Sequence, residues 1–107
     1  MLVGGGTASS AEIFAHALQF HHRAELVGRP TAGAVVGSRF FRLPNGGKLQ
    51  LGVVDYHGLD GRRLEGVGVK PDVVVSLKLA ELRDGVDPDL AAALEALRNP
   101  TAATKNQ

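Results

Sequence analysis

Two adjacent serines, Ser9 and Ser10, follow three consecutive glycines, Gly4 to Gly6, and precede Glu12. A short apolar strand, Met1 to Val3, breaks through those glycines into a helix. Glycine permits a sharp turn and a close approach of substrate to backbone, and the unpaired N–H groups of a helix start point at the same place. Such a turn can expose a serine hydroxyl as a nucleophile and offer a developing oxyanion its first donor. The same residues also spell a helix cap: Glu12 stands three positions after Ser9, as in a capping box.

A serine hydroxyl attacks poorly until a base takes its proton. The four histidines are the first residues to consider. His16 falls inside the helix and cannot turn back to its start, and His21 and His22 lie at its far end, where the helix dipole suits a cation. All three read as structural. His57 stands at a strand end before a turn, with no evident partner. His21 and His22 are neighbours in sequence and share no helix face, so they do not make a metal site. With no cysteine in the chain, a thiol nucleophile, a thiolate zinc site and a disulfide framework are excluded.

The elements that must hold these residues follow from periodicity and punctuation. Ala11, Phe14, Ala15 and Leu18 recur at helical spacing, widened by Ile13 and Ala17, which predicts a helix over residues 10–21. Arg23 to Gly28 reads as a short strand and Arg29 to Gly33 as a Pro/Gly loop. A hairpin follows, with arms over residues 35–43 and 48–56 and a turn at Pro44-Asn45-Gly46-Gly47. Phe40 and Phe41 are adjacent on the first arm and must point to opposite faces, one to the core and the other to a cleft or a missing neighbour. Arg39, Arg42, Arg62 and Arg63 read as solvent-facing. Residues 62–65 and 73–75 could each extend a sheet. Two helices are expected over residues 77–83 and 88–98, the second opened by Asp87 as cap and Pro88 at the first helical position. Residues 99–107 read as a flexible tail.

The 107-residue chain is long enough for one modest core. Twelve basic against eleven acidic residues give a net charge of +1 without a basic stripe, which argues against nucleic acid as a partner. No apolar run is long enough to span a bilayer as a helix. Its opening residues resemble a core strand rather than a secretory signal. A chain that starts in a strand and reaches its chemistry by residue 9 is expected to be the C-terminal part of something larger.

Five stretches, in order, resemble one family: Gly-Thr-Ala-Ser-Ser-Ala-Glu-Ile at 6–13, Arg-Ala-Glu-Leu-Val-Gly at 23–28, Pro-Thr-Ala-Gly at 30–33, Leu-Pro-Asn-Gly-Gly at 43–47 and Gly-Val-Gly-Val-Lys-Pro-Asp at 66–72. Together they are similar to the C-terminal half of the S41 serine peptidases, which include the tail-specific, or C-terminal processing, proteases and the tricorn core protease. The resemblance covers residues 1–98 and implies an α/β fold of the ClpP/crotonase type, a spiral of ββα units. It makes Ser9 the nucleophile and the N–H of Ser10 an oxyanion donor. In the C-terminal processing branch a lysine base follows in a Thr-x-Gly-Lys loop, but this chain reads Thr31-Ala32-Gly33-Ala34. With alanine at the lysine position, and Lys48 beyond a hairpin turn, a Ser/Lys dyad is not available.

The tricorn-like branch instead uses a histidine base, a second serine and a glutamate. Glu65, immediately before Gly66 to Asp72, matches that glutamate. Read without the resemblance, Glu65 is a solvated turn carboxylate beside Arg62 and Arg63. The histidine and second serine belong to the N-terminal half of the family's domain, so the isolated chain is expected to be a poor enzyme. The resemblance implies peptide or protein substrates, partnership with that missing half, and neither metal nor organic cofactor. A truncated sheet edge would also favour self-association. As to location, many bacterial members are exported to the cell envelope, periplasm or beyond, whereas the tricorn protease is cytoplasmic. A non-catalytic peptide-binding or assembly fragment of the same fold is the alternative, and an activated Ser9 is the feature that separates the two.

Overall fold

A computed structural model describes residues 1–99. Three two-residue strands, β1 (Leu2–Val3), β2 (Val27–Gly28) and β5 (Val73–Val74), form a parallel sheet in the order β1-β2-β5. Helix α1 (Ser10–Phe20) crosses from β1 to β2, the connection that parallel pairing demands. Beneath it Val3, Ala15, Leu26, Val35, Leu64 and Val69 pack into a small core, with Ile13 and Tyr56 against its rim.

The Lys70-Pro71-Asp72 stretch sets the last strand. Asp72 accepts the Leu26 N–H on Oδ2 (2.7 Å) and the Gln19 amide on Oδ1 (2.8 Å), while its own N–H donates to the Leu26 carbonyl. One side chain thereby ties β5, β2 and α1 together.

The hairpin stands outside that core. β3 (Gly37–Arg42) pairs antiparallel with β4 (Lys48–Val54), and every residue of both strands is exposed. Its turn closes through Leu43 N–H to Gly47 O and Gly46 N–H to Leu43 O, with Gly46 at φ 82°, a left-handed position that suits glycine. The expected arm began at Val35, whereas pairing starts at Gly37, because the N–H groups of Val35 and Val36 are already taken by a carboxylate. Phe40 and Phe41 do lie on opposite faces, but both are exposed, at 68% and 44%, so neither enters the core.

Residues 62–65 do not form a strand. Arg63 makes only an isolated bridge with His57, since the turn Gly58–Arg62 and the positive-φ glycines Gly61 and Gly66 bracket the segment too tightly for a ladder. Its one deeply buried side chain, Leu64, serves the core instead. Two helices end the described chain: the single turn and a half of α2 (Leu79–Arg83), then α3 (Pro88–Arg98) with the expected Asp87 cap accepting the Leu90 N–H. α3 lies against β1 and β2. Of the expected tail, Asn99 is the C-cap of α3 and residues 100–107 lie outside the described residues.

Candidate active site

Ser9 is exposed and has φ 59° and ψ −129°, a conformation that residues other than glycine rarely adopt. It occupies the turn between β1 and α1, and neighbouring contacts hold it there. Its N–H donates to the Ala34 carbonyl (2.9 Å) and to Glu12 Oε2 (3.1 Å). The N–H groups of Glu12 and Ile13 reach the Ser9 carbonyl. The expected capping box of Ser9 and Glu12 is formed.

Glu12 does more than cap. Its side chain is completely buried, and four donors converge on its two oxygens. Oε1 accepts from the Thr31 hydroxyl and the Gly33 N–H, and Oε2 from the Ala34 and Ser9 N–H groups. Burial pushes the carboxyl pKa up, but the Thr31 hydroxyl and the three N–H donors outweigh it and bring it below the ordinary glutamate value. The charged form is therefore the one the site is built around. Sequence reasoning missed this role because three of the four donors come from residues 31–34; the Glu12 motif position and the Pro-Thr-Ala-Gly loop were the available signals.

That loop is locked from its other side. Thr31 accepts the Val69 N–H on Oγ1 (2.7 Å), and its own N–H donates to the Val69 carbonyl. Gly33, at φ 69°, has no room for a side chain: a Cβ there would lie 2.8 Å from the Val67 nitrogen. Loop 31–34 is a rigid strut between Ser9 and the segment 64–69.

Glu65 meets the far end of this strut. Its Oε2 accepts the N–H groups of Val35 (2.7 Å) and Val36 (2.9 Å), while Gly66 N–H donates to the Gly33 carbonyl (2.8 Å). It is neither a free turn carboxylate nor a partner of the nearby arginines, because Arg62 pairs with Asp60 and Arg63 with Asp55. The structure brings Ser9 and Glu65 to one short backbone segment, Ser9 on the carbonyl of Ala34 and Glu65 on the next two N–H groups. The two are linked through that backbone, with no direct hydrogen bond between them. Ser10 is the first residue of α1, so its N–H precedes any intrahelical acceptor.

The remaining sequence candidates lie elsewhere. Ala34 is exposed where a lysine base would stand, and Lys48 opens β4 opposite Arg42. His16 is buried, with Nε2 3.5 Å from Asp60 Oδ1, and both ring nitrogens lack a hydrogen-bond partner. His21 is the C-cap of α1, and His57 bridges Arg63. Among the described residues no group of three or more His, Cys, Asp or Glu is arranged to hold a metal, and no helix is long and apolar enough to cross a membrane.

Comparison with known proteins identifies relatives of this chain. A carboxy-terminal-processing protease of Bartonella bacilliformis is 37% identical over 90 residues, covering 84% of this chain and 21% of that protein. A carboxyl-terminal-processing protease of Synechocystis is 35% identical, covering 95% and 25%. The chain thus spans about a fifth to a quarter of the length of these relatives. Among solved structures, the tricorn protease superimposes with a TM-score of 0.82 at 28% identity, over 90% of this chain and 10% of that one. The photosystem II D1 C-terminal processing protease gives 0.60 at 32% identity, over 70% and 19%. The profile of Peptidase family S41 matches residues 1–75, and with the α/β arrangement around Ser9 this establishes that the chain belongs to the S41 peptidase family.

Proposed function

We propose that this chain carries the nucleophile-bearing part of a serine-type peptidase site. Ser9 Oγ attacks a peptide carbonyl carbon while its proton passes to a base, and the Ser10 N–H holds the resulting oxyanion. When the tetrahedral intermediate collapses, the C–N bond breaks and the amine leaves with the proton from that base. Water then hydrolyses the acyl-enzyme. The observation that carries this reading is the backbone of Ser9: a positive-φ serine at a strand-to-helix turn, its N–H fixed by both Glu12 and Ala34.

The proton acceptor in this scheme is a histidine supplied from outside residues 1–99. Alanine at position 34 removes the lysine alternative, and His16 is buried against Asp60 and Gly58. Glu65 supports the base system. Both of its backbone hydrogen bonds fall on Oε2, so Oε1 is the oxygen open to a donor from another segment. A carboxylate there would stabilise an imidazolium as it forms. Substrates would be peptides or proteins, and the likeness to bacterial C-terminal processing proteases supports an envelope or secreted location over a cytoplasmic one, testable by fractionation.

The test is fluorophosphonate labelling read by intact mass, on this chain alone and on a version extended upstream through a histidine-bearing half. The expected result is an adduct on the extended form that disappears in Ser9→Ala, with little or none on the short form. A loss of one catalytic group typically removes most of the rate, so the contrast should reach about a thousandfold. Absence of labelling in both forms, each folded, would leave the non-catalytic binding module as the reading.

A further inference from the structure

Three carboxylates join three segments around Ser9 in pairs. Glu12 fastens α1 to loop 31–34, and Glu65 fastens the segment 58–65 to Val35 and Val36, just beyond that loop. The remaining side of this triangle runs from the segment 58–65 back to α1, and there Asp60 faces His16. Glu12 and His16 stand four residues apart, on one face of α1.

The first two sides are closed by hydrogen bonds and the third is not. His16 Nε2 lies 3.5 Å from Asp60 Oδ1, both ring nitrogens are buried, and neither has a hydrogen-bond partner among the described residues. Orphans of this kind are rare in folded proteins and costly. Asp60 can supply what is lacking: its Oδ1 accepts the Arg62 N–H (3.0 Å) and keeps a second lone pair. That N–H first, and the Arg62 guanidinium after it, hold the Asp60 carboxyl below the ordinary aspartate value, so the group is a charged acceptor. The turn around it is braced, with the Gly58 N–H on the Arg62 carbonyl (2.7 Å) and the Gly61 N–H on the Gly58 carbonyl (2.9 Å). An approach of about half an ångström by this braced turn brings Nε2–H to hydrogen-bond distance.

We propose that His16 is a positioning residue for Glu65: its Nε2–H donates to Asp60 Oδ1 when the site is assembled, and the turn 58–62 carries that closure through Arg63 and the buried Leu64 to the Glu65 carboxylate. Glu65 is then fixed relative to Ser9 from two directions, by Val35 and Val36 on one side and by α1 on the other. This deepens the peptidase reading and rests on the role given there to Glu65.

The ring is read by 15N NMR of the histidine-labelled 107-residue chain. The expected signal is a protonated Nε2 at His16 whose proton moves upfield in Asp60→Ala; a proton on Nδ1 alone, or an Nε2–H indifferent to Asp60→Ala, overturns the proposal. Rates are read on the upstream-extended form as fluorophosphonate labelling of Ser9. His16→Leu fills a similar volume without a donor, so it should lower the labelling rate about tenfold, the scale of one hydrogen bond, while the unfolding midpoint stays level or rises. His16→Gln keeps an N–H and should recover most of the rate. Asp60→Ala combined with His16→Leu should label no more slowly than Asp60→Ala alone, because both changes remove one contact. Rate and stability falling together, in the Leu and Gln variants alike, would reduce His16 to packing. A parent that labels, with His16→Leu labelling equally fast, refutes the positioning role alone. A folded parent that does not label refutes the catalytic reading and the positioning role with it.

Discussion

Glu12 shows how a buried side chain can fix the Ser9 turn from inside the fold. A buried carboxylate is costly unless its oxygens are satisfied, and here a hydroxyl and three N–H groups satisfy them. Two of those donors, Ser9 and Ala34, define where the proposed nucleophile sits. Glu12→Gln keeps the shape but turns an NH2 group toward donors, so thermal or urea unfolding should show a loss of about 1–3 kcal/mol. The pH dependence has a definite sign. Because the folded-state pKa is lowered, the stabilisation from Glu12 is fully present above the ordinary glutamate value of about 4.3 and disappears as pH falls through the lower folded value. Denaturation curves between neutral and strongly acidic pH should therefore slope less steeply for Glu12→Gln than for the parent, and parallel curves would show that the carboxylate is not the group responsible.

At the scale of elements, α1 is held at its start and near its middle by segments distant in sequence. Loop 31–34 grips its start, and the turn Gly58–Arg62 closes over His16 near its middle. Gly58 is essential to that closure: a Cβ there would sit 2.4 Å from His16 Nε2. Gly58→Ala should cost about 1–3 kcal/mol through overpacking, and His16→Ala, which removes the obstructing ring, should make the double variant less destabilised than the sum of the single changes. Additive losses would mean that the two residues do not share the contact. The parts of this arrangement written in local sequence were legible: the α1 periodicity, the Pro-Asn-Gly-Gly turn and the Asp87-Pro88 helix start each act within a few residues. Contacts spanning long separations were not. The Glu65 carboxylate on the Val35 and Val36 amides reaches across about 30 residues, and it delays the start of β3. The two phenylalanines of β3 were assigned correctly to opposite faces, yet alternation could not reveal that neither face meets the core.

Across the whole molecule, a small core around the Ser9 turn is joined to peripheral elements by single polar contacts. The main tie to α3 is Arg29, which makes a two-pronged pair with Asp89, both bonds at 2.7 Å, while its guanidinium also lies against Gly4 in the glycine turn. Asp89 raises the Arg29 pKa first through these hydrogen bonds, and the charge stays fixed across the accessible pH range. α3 has no fully buried side chain, so its docking depends on this fork and on half-buried alanines more than on a sealed apolar face. Asp89→Ala should consequently loosen α3 from the sheet while leaving the Ser9 turn and the hairpin intact. Hydrogen exchange would read this directly, with amides of residues 91–98 exchanging roughly several-fold faster and those of Glu12, Val35 and Val36 unchanged, as expected for local rather than global opening. If the Val35 and Val36 amides accelerated together with α3, the helix would belong to the same cooperative unit as the Ser9 strut. Anything that displaced α3 would then also disturb the Ser9 turn.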